Sequence, residues 1–301
     1  MYDANTDLPR INTQAKEIFL VAVDIGNSSI KFGLFQREML SSEQNQAVAY
    51  AANDLLPDPL ETFEVPIAHD TGSFDLKRLS AWCQAHLTSD THWSIGSVHR
   101  GAGTLLATTI NSWSRQLGIA WPVLRLENSD LPITMRVDEP TRVGIDRLLA
   151  AVAANQLRAP NRAAIVIDLG TATTVDLVEA DGAFAGGAIL PGIGMASRAL
   201  ADQTDALPHI LLDPSAAPPS PLGKSTKSAI EAGLYWGAVG AVRELASKLA
   251  AAQPTGTDYF ITGGASRAVA ASLDELGAVH FVPHLVLSGI ALVESQRRGA
   301  E

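Results

Sequence analysis

The chain has 301 residues, 47% of them hydrophobic and 18% charged, with a formal net charge of −10. That is enough apolar sequence for one large or two medium folded domains, and the acidic balance argues against nucleic acid or an acidic membrane surface as the main partner. Cys83 is the sole cysteine, which excludes an internal disulfide and fits a reducing cytoplasm.

Residues 1–17 are polar, lack the charged-then-apolar order of a signal peptide, and read as a disordered extension. No run of about 18 apolar residues suggests a membrane span. The first strong signal follows: the β-branched run Ile18–Val23, then Asp24-Ile25-Gly26-Asn27-Ser28-Ser29-Ile30-Lys31, then Phe32–Phe35. Strand, Asp-x-Gly turn and strand make a hairpin whose tip carries a carboxylate and a glycine that lets backbone approach a phosphate. Asp24 could hold a metal ion or its water near phosphate oxygens, and Lys31 could supply positive charge.

Helices are expected at 75–87 and 103–117, with short strands near 93–98 and 123–126. In Pro140-Thr141-Arg142-Val143-Gly144-Ile145-Asp146-Arg147, the pair Asp146 and Arg147 opens a helix just after Gly144. A carboxylate beside a guanidinium can deprotonate an alcohol while the guanidinium holds an anion. An ordinary helix start with an exposed arginine would give the same fragment.

The hairpin pattern recurs 144 residues later: Ala164–Ile167, Asp168-Leu169-Gly170-Thr171-Ala172-Thr173-Thr174-Val175, then Asp176–Val178. A repeat at a domain's length suggests internal duplication. A strand over 186–190 ends in Pro191-Gly192, and a helix follows at 195–201. Residues 208–221 hold five prolines and read as an irregular loop. Residues 225–252 read as a long amphipathic helix, 259–264 as a strand entering the turn Thr262-Gly263-Gly264, and 265–276 and 285–297 as helices. His92, His99, His280 and His284 lack companions at zinc spacing and read as structural. The fold class expected is α/β, with two similar domains over 18–154 and 155–301 and a cleft between them, the last helix free to pack back on the first domain.

Asp-x-Gly-Asn-Ser-x-x-Lys, Pro-x-x-Val-Gly-x-Asp-Arg, Asp-x-Gly-Thr-Ala-x-Thr, Gly-Gly-x-Ile-x-Pro-Gly, Gly-Lys-Ser-Thr-x-x-Ala-Ile and Thr-Gly-Gly occur in that order over about residues 19–292. Together they resemble type III pantothenate kinase. The resemblance implies two ribonuclease-H-like domains of the acetate kinase, sugar kinase, heat-shock 70 and actin superfamily. It implies transfer of the ATP γ-phosphate to the primary alcohol of pantothenate, the first step of coenzyme A biosynthesis, in a cytoplasmic homodimer that uses Mg²⁺ and a monovalent cation, K⁺ or NH₄⁺. Carried over by motif, Asp24, Ile25, Gly26, Asn27, Ser28, Ser29, Ile30 and Lys31 would form the ATP phosphate loop, with Thr171 also on ATP. Gly144, Ile145, Asp146, Arg147 and Thr226 would bind pantothenate, with Asp146 as the catalytic base, and Asp168 would ligate the monovalent cation. Val137 stands where many members carry a tyrosine lining the pantothenate pocket, and Ser225 stands where Asn is usual. Two other functions stay open on sequence: a kinase or phosphatase of the same superfamily acting on another small alcohol, and a non-catalytic nucleotide-binding regulator.

Overall fold

Each half of the chain builds a five-stranded mixed sheet, and the two sheets share one topology. In this computed structural model residues 7–14, 17–37, 55–68, 70–213 and 215–299 are described. The first sheet contains β1 (Phe19–Ile25), β2 (Ser29–Gln36), β3 (Glu61–Pro66), β4 (Thr91–Ser97) and β5 (Val123–Arg125), in the order β3-β2-β1-β4-β5. The second contains β6 (Ala163–Leu169), β7 (Ala172–Val178), β8 (Phe184–Pro191), β9 (Thr257–Thr262) and β10 (Val279–Phe281), in the order β8-β7-β6-β9-β10. In both, the first three strands run antiparallel to one another and the last two run parallel to the leading strand. This is the ribonuclease-H-like arrangement, twice.

The chain divides into two compact units, one of residues 1–132, 141–156 and 286–301, the other of 133–140 and 157–285. Two segments thus group differently from a single cut after residue 154: residues 133–140 go with the second unit and 286–301 with the first. For 133–140 the reason is backbone pairing, since Phe184 N donates to Thr134 O and Arg136 N donates to Phe184 O, each at 2.8 Å.

In the first unit, the alternation of β1 decides its layers. Phe19, Val21, Val23 and Ile25 point into a core shared with Phe32, Trp82, Trp93, Leu106 and Trp113. That core is closed by α1 (Leu76–His86), capped by Asp75, and α2 (Arg100–Leu117), ended by Gly118 at φ 66°. The opposite face meets α3 (Ile145–Leu157) and α7 (Leu285–Gly299). A Cβ on Gly96 of β4 would strike Leu149 and approach Ile290, and one on Gly33 of β2 would press on Leu287.

Within the stretch 1–17, residues 7–14 make contacts with the first unit. Leu8 and Ile11 pack against the first core, and Asn12 bridges Thr88. Their apolar contacts are enough to hold a polar stretch in place. Residues 1–6 and 15–16 lie outside the described residues.

In the second unit, Ile165, Ile167 and Leu169 of β6 pack on Tyr235, Val239, Val242 and Ala246 of α5 (Thr226–Ala251). Ser225 caps α5, its hydroxyl accepting from Ser228 N, while Ser228 reaches back to Ser225 N. The helix expected over 265–276 is shorter than read. It runs as α6 (Ser266–Ala270) and gives way to three-residue turns, with Ser272 N donating to Val269 O and Leu273 N to Ala270 O. A further helix, α4 (Ile193–Asp202), follows β8.

Candidate active site

Both Asp-x-Gly turns are hairpin tips at the carboxyl end of the leading strand, where α/β sheets place their ligands. In the first unit Asp24 pairs with Lys31 and Ile25 with Ile30, so four residues, Gly26 to Ser29, form the turn. Gly26 N donates to Ser29 O at 3.1 Å, and Asn27 and Ser28 stand exposed at the tip. Residues directly opposite in an antiparallel ladder share a face. Asp24, Lys31 and Glu64, the partner of Lys31 on β3, therefore leave one side of the sheet together. Ile25 and Ile30 are fully buried in the core, so only their backbone is left to meet a ligand.

On that same side and at that same end, α3 begins. Its residues Ile145 and Leu149 cover Gly96, the β4 partner of Asp24. Asp146 lies in the first turn of α3, its Oδ1 accepting from Arg147 N at 2.8 Å. Burial pushes its carboxyl above the ordinary value, against the smaller opposing pull of that bond and of the Arg147 charge. A carboxylate made more basic by burial, at a helix start beside a guanidinium, suits proton abstraction from an alcohol.

The approach to this turn is braced. Asn128 Nδ2 donates to Val143 O at 2.9 Å, just ahead of Gly144. Asn128 belongs to a short turn in which Glu127 and Asp130 cap each other, and Asp130 Oδ1 also accepts from Arg297 Nη1 of α7 at 3.0 Å. A Cβ on Gly144 would meet Asp146 Oδ1, so any larger residue there would push the carboxylate out of this position. None of these bracing residues was singled out in the sequence; their only mark is the Glu-x-x-Asp spacing of a capping box.

In the second unit Asp168 pairs with Thr174 and Leu169 with Thr173, leaving a turn of three residues, Gly170 to Ala172. The second loop is one residue shorter than the first. Register, rather than residue count, makes Thr174 the counterpart of Lys31. Asp168 also pairs with Thr262 on β9, and a Cβ on Gly263 (φ 95°) would strike its Oδ1. Thr171 O accepts from Gly192 N at 3.2 Å, and Leu169 O accepts from Ala265 N at 3.1 Å. The Pro-Gly and Thr-Gly-Gly turns are thereby fastened to the loop. Thr226 opens α5 and is exposed. It borders a groove of about 1410 Å³ whose lining includes Pro191, Met195, Ala229 and Ile230.

Asp24 to Lys31 and Gly144 to Arg147 thus belong to the first unit, and Asp168, Thr171 and Thr226 to the second. Val137 faces Gly186, whose Cβ would come 3.4 Å from Val137 Cγ1. Asp176 on β7 is a buried carboxylate that sequence reading passed over; its signal was a charge interrupting an apolar strand. Among the described residues no three His, Cys, Asp or Glu side chains cluster as a metal cage, and no helix is long and apolar enough to cross a membrane.

A family model described as type III pantothenate kinase matches residues 20–248. The type III pantothenate kinase of Nitratidesulfovibrio vulgaris (strain DP4) is 31% identical over 285 residues, 93% of this chain and 98% of that protein. The one from Dehalococcoides mccartyi (strain CBDB1) is 30% identical over 291 residues, 94% and 98% of the two chains. Set beside the duplicated Asp-x-Gly turns and the Asp146-Arg147 pair at the start of α3, these matches show that the chain belongs to the type III pantothenate kinase family.

Proposed function

We propose that this chain phosphorylates pantothenate with ATP, giving 4'-phosphopantothenate, and that Asp146 is its catalytic base. The observation that carries the assignment of Asp146 is its burial-raised basicity at the start of α3, on the sheet face that also presents Asp24 and Lys31. The hydroxyl oxygen of pantothenate attacks the γ-phosphorus as its proton passes to the Asp146 carboxylate. The bond from that phosphorus to the β-phosphate bridging oxygen breaks, and ADP leaves. Lys31 and the backbone of Gly26 to Ser29 offset the charge on the phosphates, and Arg147 takes the substrate carboxylate. Thr171 supplies a further contact to ATP, and Thr226 one to pantothenate.

The groups present fit the cations of this chemistry. Asp168 lies under Gly263 where a Cβ would intrude, with Thr174 and Thr262 beside it in the ladder, and this oxygen-rich setting suits a monovalent cation, K⁺ or NH₄⁺. Asp24 would help hold Mg²⁺ brought in with the nucleotide, a metal that needs only one or two protein carboxylates. Bound there, these ions would neutralise phosphate charge. The exposed apolar groove beside Thr226, with Met195 39% exposed, supports a homodimer, and the single cysteine supports a cytoplasmic protein.

The test is a substrate panel: ATP and K⁺ with pantothenate or with other small primary alcohols, and products identified by mass. Pantothenate should be clearly preferred. A different alcohol winning would reassign the substrate and point to Val137, which stands where many members of the family carry a tyrosine.

A further inference from the structure

Half-buried His99 stands two residues past the end of β4, caps α2, and lays its ring against a third segment, the turn over residues 68–73. We propose that His99 is a positioning residue of the reaction, its imidazole holding the phosphate tip of Gly26 to Ser29 and the turn that carries Asp146 in one fixed relation. The proposal rests on the phosphoryl-transfer reading of those two turns and adds to it a residue that belongs to neither.

The cap is the first argument. His99 Nδ1 accepts from Ala102 N at 3.2 Å, and an accepting Nδ1 places the ring proton on Nε2. No acidic residue stands in the first turn of α2, and Gly103 N donates to His99 O at 3.0 Å, so His99 satisfies two of the orphan donors there. Ser97 fixes the backbone on the other side, its Oγ donating to His99 O at 3.1 Å and accepting from His99 N at 3.2 Å. Val98, clamped between them, donates its N–H to the carbonyl of Ile25, the residue after Asp24, at 3.0 Å. Val98 also borders the base. A Cβ on Gly144 would stand 2.5 Å from Asp146 Oδ1 and 3.7 Å from Val98 Cγ1, so Val98 and the carboxylate flank the same glycine. The conformation of residues 97–99 therefore limits where the Asp146 carboxylate can rest.

The outer edge of the ring is the second. A Cβ on Gly72 would come 2.9 Å from His99 Cε1, so the ring fills the space beside the 68–73 turn. That turn is closed by bonds from Ala68 N to Ser73 O and from Gly72 N to Ala68 O, at 2.8 and 2.7 Å. Ile67, which leads into it, donates its N–H to Ser28 O of the phosphate tip at 2.9 Å. Serine, threonine, asparagine and aspartate are the ordinary helix caps. Any of them would satisfy Ala102 N, but a cap that short would leave the 68–73 turn without its support. The imidazole joins the two.

Steady-state kinetics of the full chain with ATP, Mg²⁺, K⁺ and pantothenate, at matched folded concentration, tests the proposal. His99→Leu keeps bulk and loses the cap. It should lower kcat by about tenfold or more and leave the KM for pantothenate within about threefold. His99→Asn keeps a capping acceptor and loses the ring edge. It should hold kcat within about threefold of wild type while raising the KM for ATP by about threefold or more. A purely structural histidine would change the melts of these variants and leave the kinetic constants of the folded protein alone. Wild-type kcat in folded His99→Leu, or equal losses in His99→Leu and His99→Asn, would overturn the proposal and leave the reaction standing. No turnover by well-folded wild type would overturn the kinase reading, and the proposal with it. Gly72→Ala, which presses on the ring from outside, decides the matter should His99→Leu fail to fold. It should lower kcat by about threefold or more beside His99 and have no effect beside His99→Asn. Equal effects in the two backgrounds, or none in either, would overturn the proposal.

Discussion

Asp24 and Lys31 face each other across the β1–β2 ladder, while Asp168 faces Thr174 across the equivalent β6–β7 ladder. The duplicated turn has thus kept its carboxylate in both copies and its cation in one. Replacing Lys31 removes the cation from the only tip that presents one at this rung. Lys31→Met should lower kcat/KM for ATP by about 100-fold or more, the scale of losing one preorganised charge donor, and leave the KM for pantothenate nearly unchanged. Steady-state kinetics varying each substrate in turn checks this.

Asp146 is expected to show a conflict between stability and function. Its folded-state carboxyl is raised, so the fold favours the protonated form. The stabilising contribution of that form is present below the unfolded pKa and is lost as pH rises through the folded one. At neutral pH the ionised, buried group therefore costs stability. Asp146→Asn should raise Tm near pH 7 by roughly 2–4 °C, the shift about 1 kcal/mol gives in a domain of this size. At pH 3 the gain should vanish, and thermal scans at the two pH values check it.

The same raised carboxyl sets the acid limb of the rate profile. As a base, Asp146 must be ionised, so kcat/KM for pantothenate should begin to fall at a pH above the ordinary carboxylate range. A limb set at the ordinary Asp value would separate the base from this residue.

Gly263 and Gly264 are adjacent and should behave differently. Gly263 sits at φ 95° against Asp168 and the Leu169 backbone, whereas a Cβ on Gly264 meets open space. Gly263→Ala should cost about 1–3 kcal/mol and weaken ATP binding, and Gly264→Ala should be nearly neutral. Denaturant melts and ATP titrations of the two variants make the comparison.

Leu8 and Ile11 pack on the first core although they lie in a polar stretch. The double variant Leu8→Ala with Ile11→Ala should destabilise by roughly 2–3 kcal/mol, less than two fully buried truncations would. Chemical denaturation checks it.

The hairpin tips, the positions of α1 and α5 and most core strands were legible because their signals are local: alternation, a helical apolar spacing, an Asp-x-Gly turn. What escaped depends on distant partners. β3 has a single fully buried residue, Val65, and its pattern is too polar to announce a strand without β2 beside it. Residues 133–140 follow Phe184 instead of their sequence neighbours. The missing residue in the second turn shows only in the ladder register, which is what moves the counterpart of Lys31 from Val175 to Thr174. At the candidate site, motif residues were visible, but the bond from Asn128 to Val143 O and the one from Arg297 to Asp130 were not, since they join three segments far apart in sequence.

The most direct measurement is formation of 4'-phosphopantothenate from ATP and pantothenate, with Mg²⁺ and K⁺, by wild type and by Asp146→Asn at matched folded concentration. The account predicts turnover by wild type and a loss of about 100-fold or more in the variant, with its cooperative melt retained. Wild-type rates in Asp146→Asn, or no turnover by well-folded wild type, would contradict it.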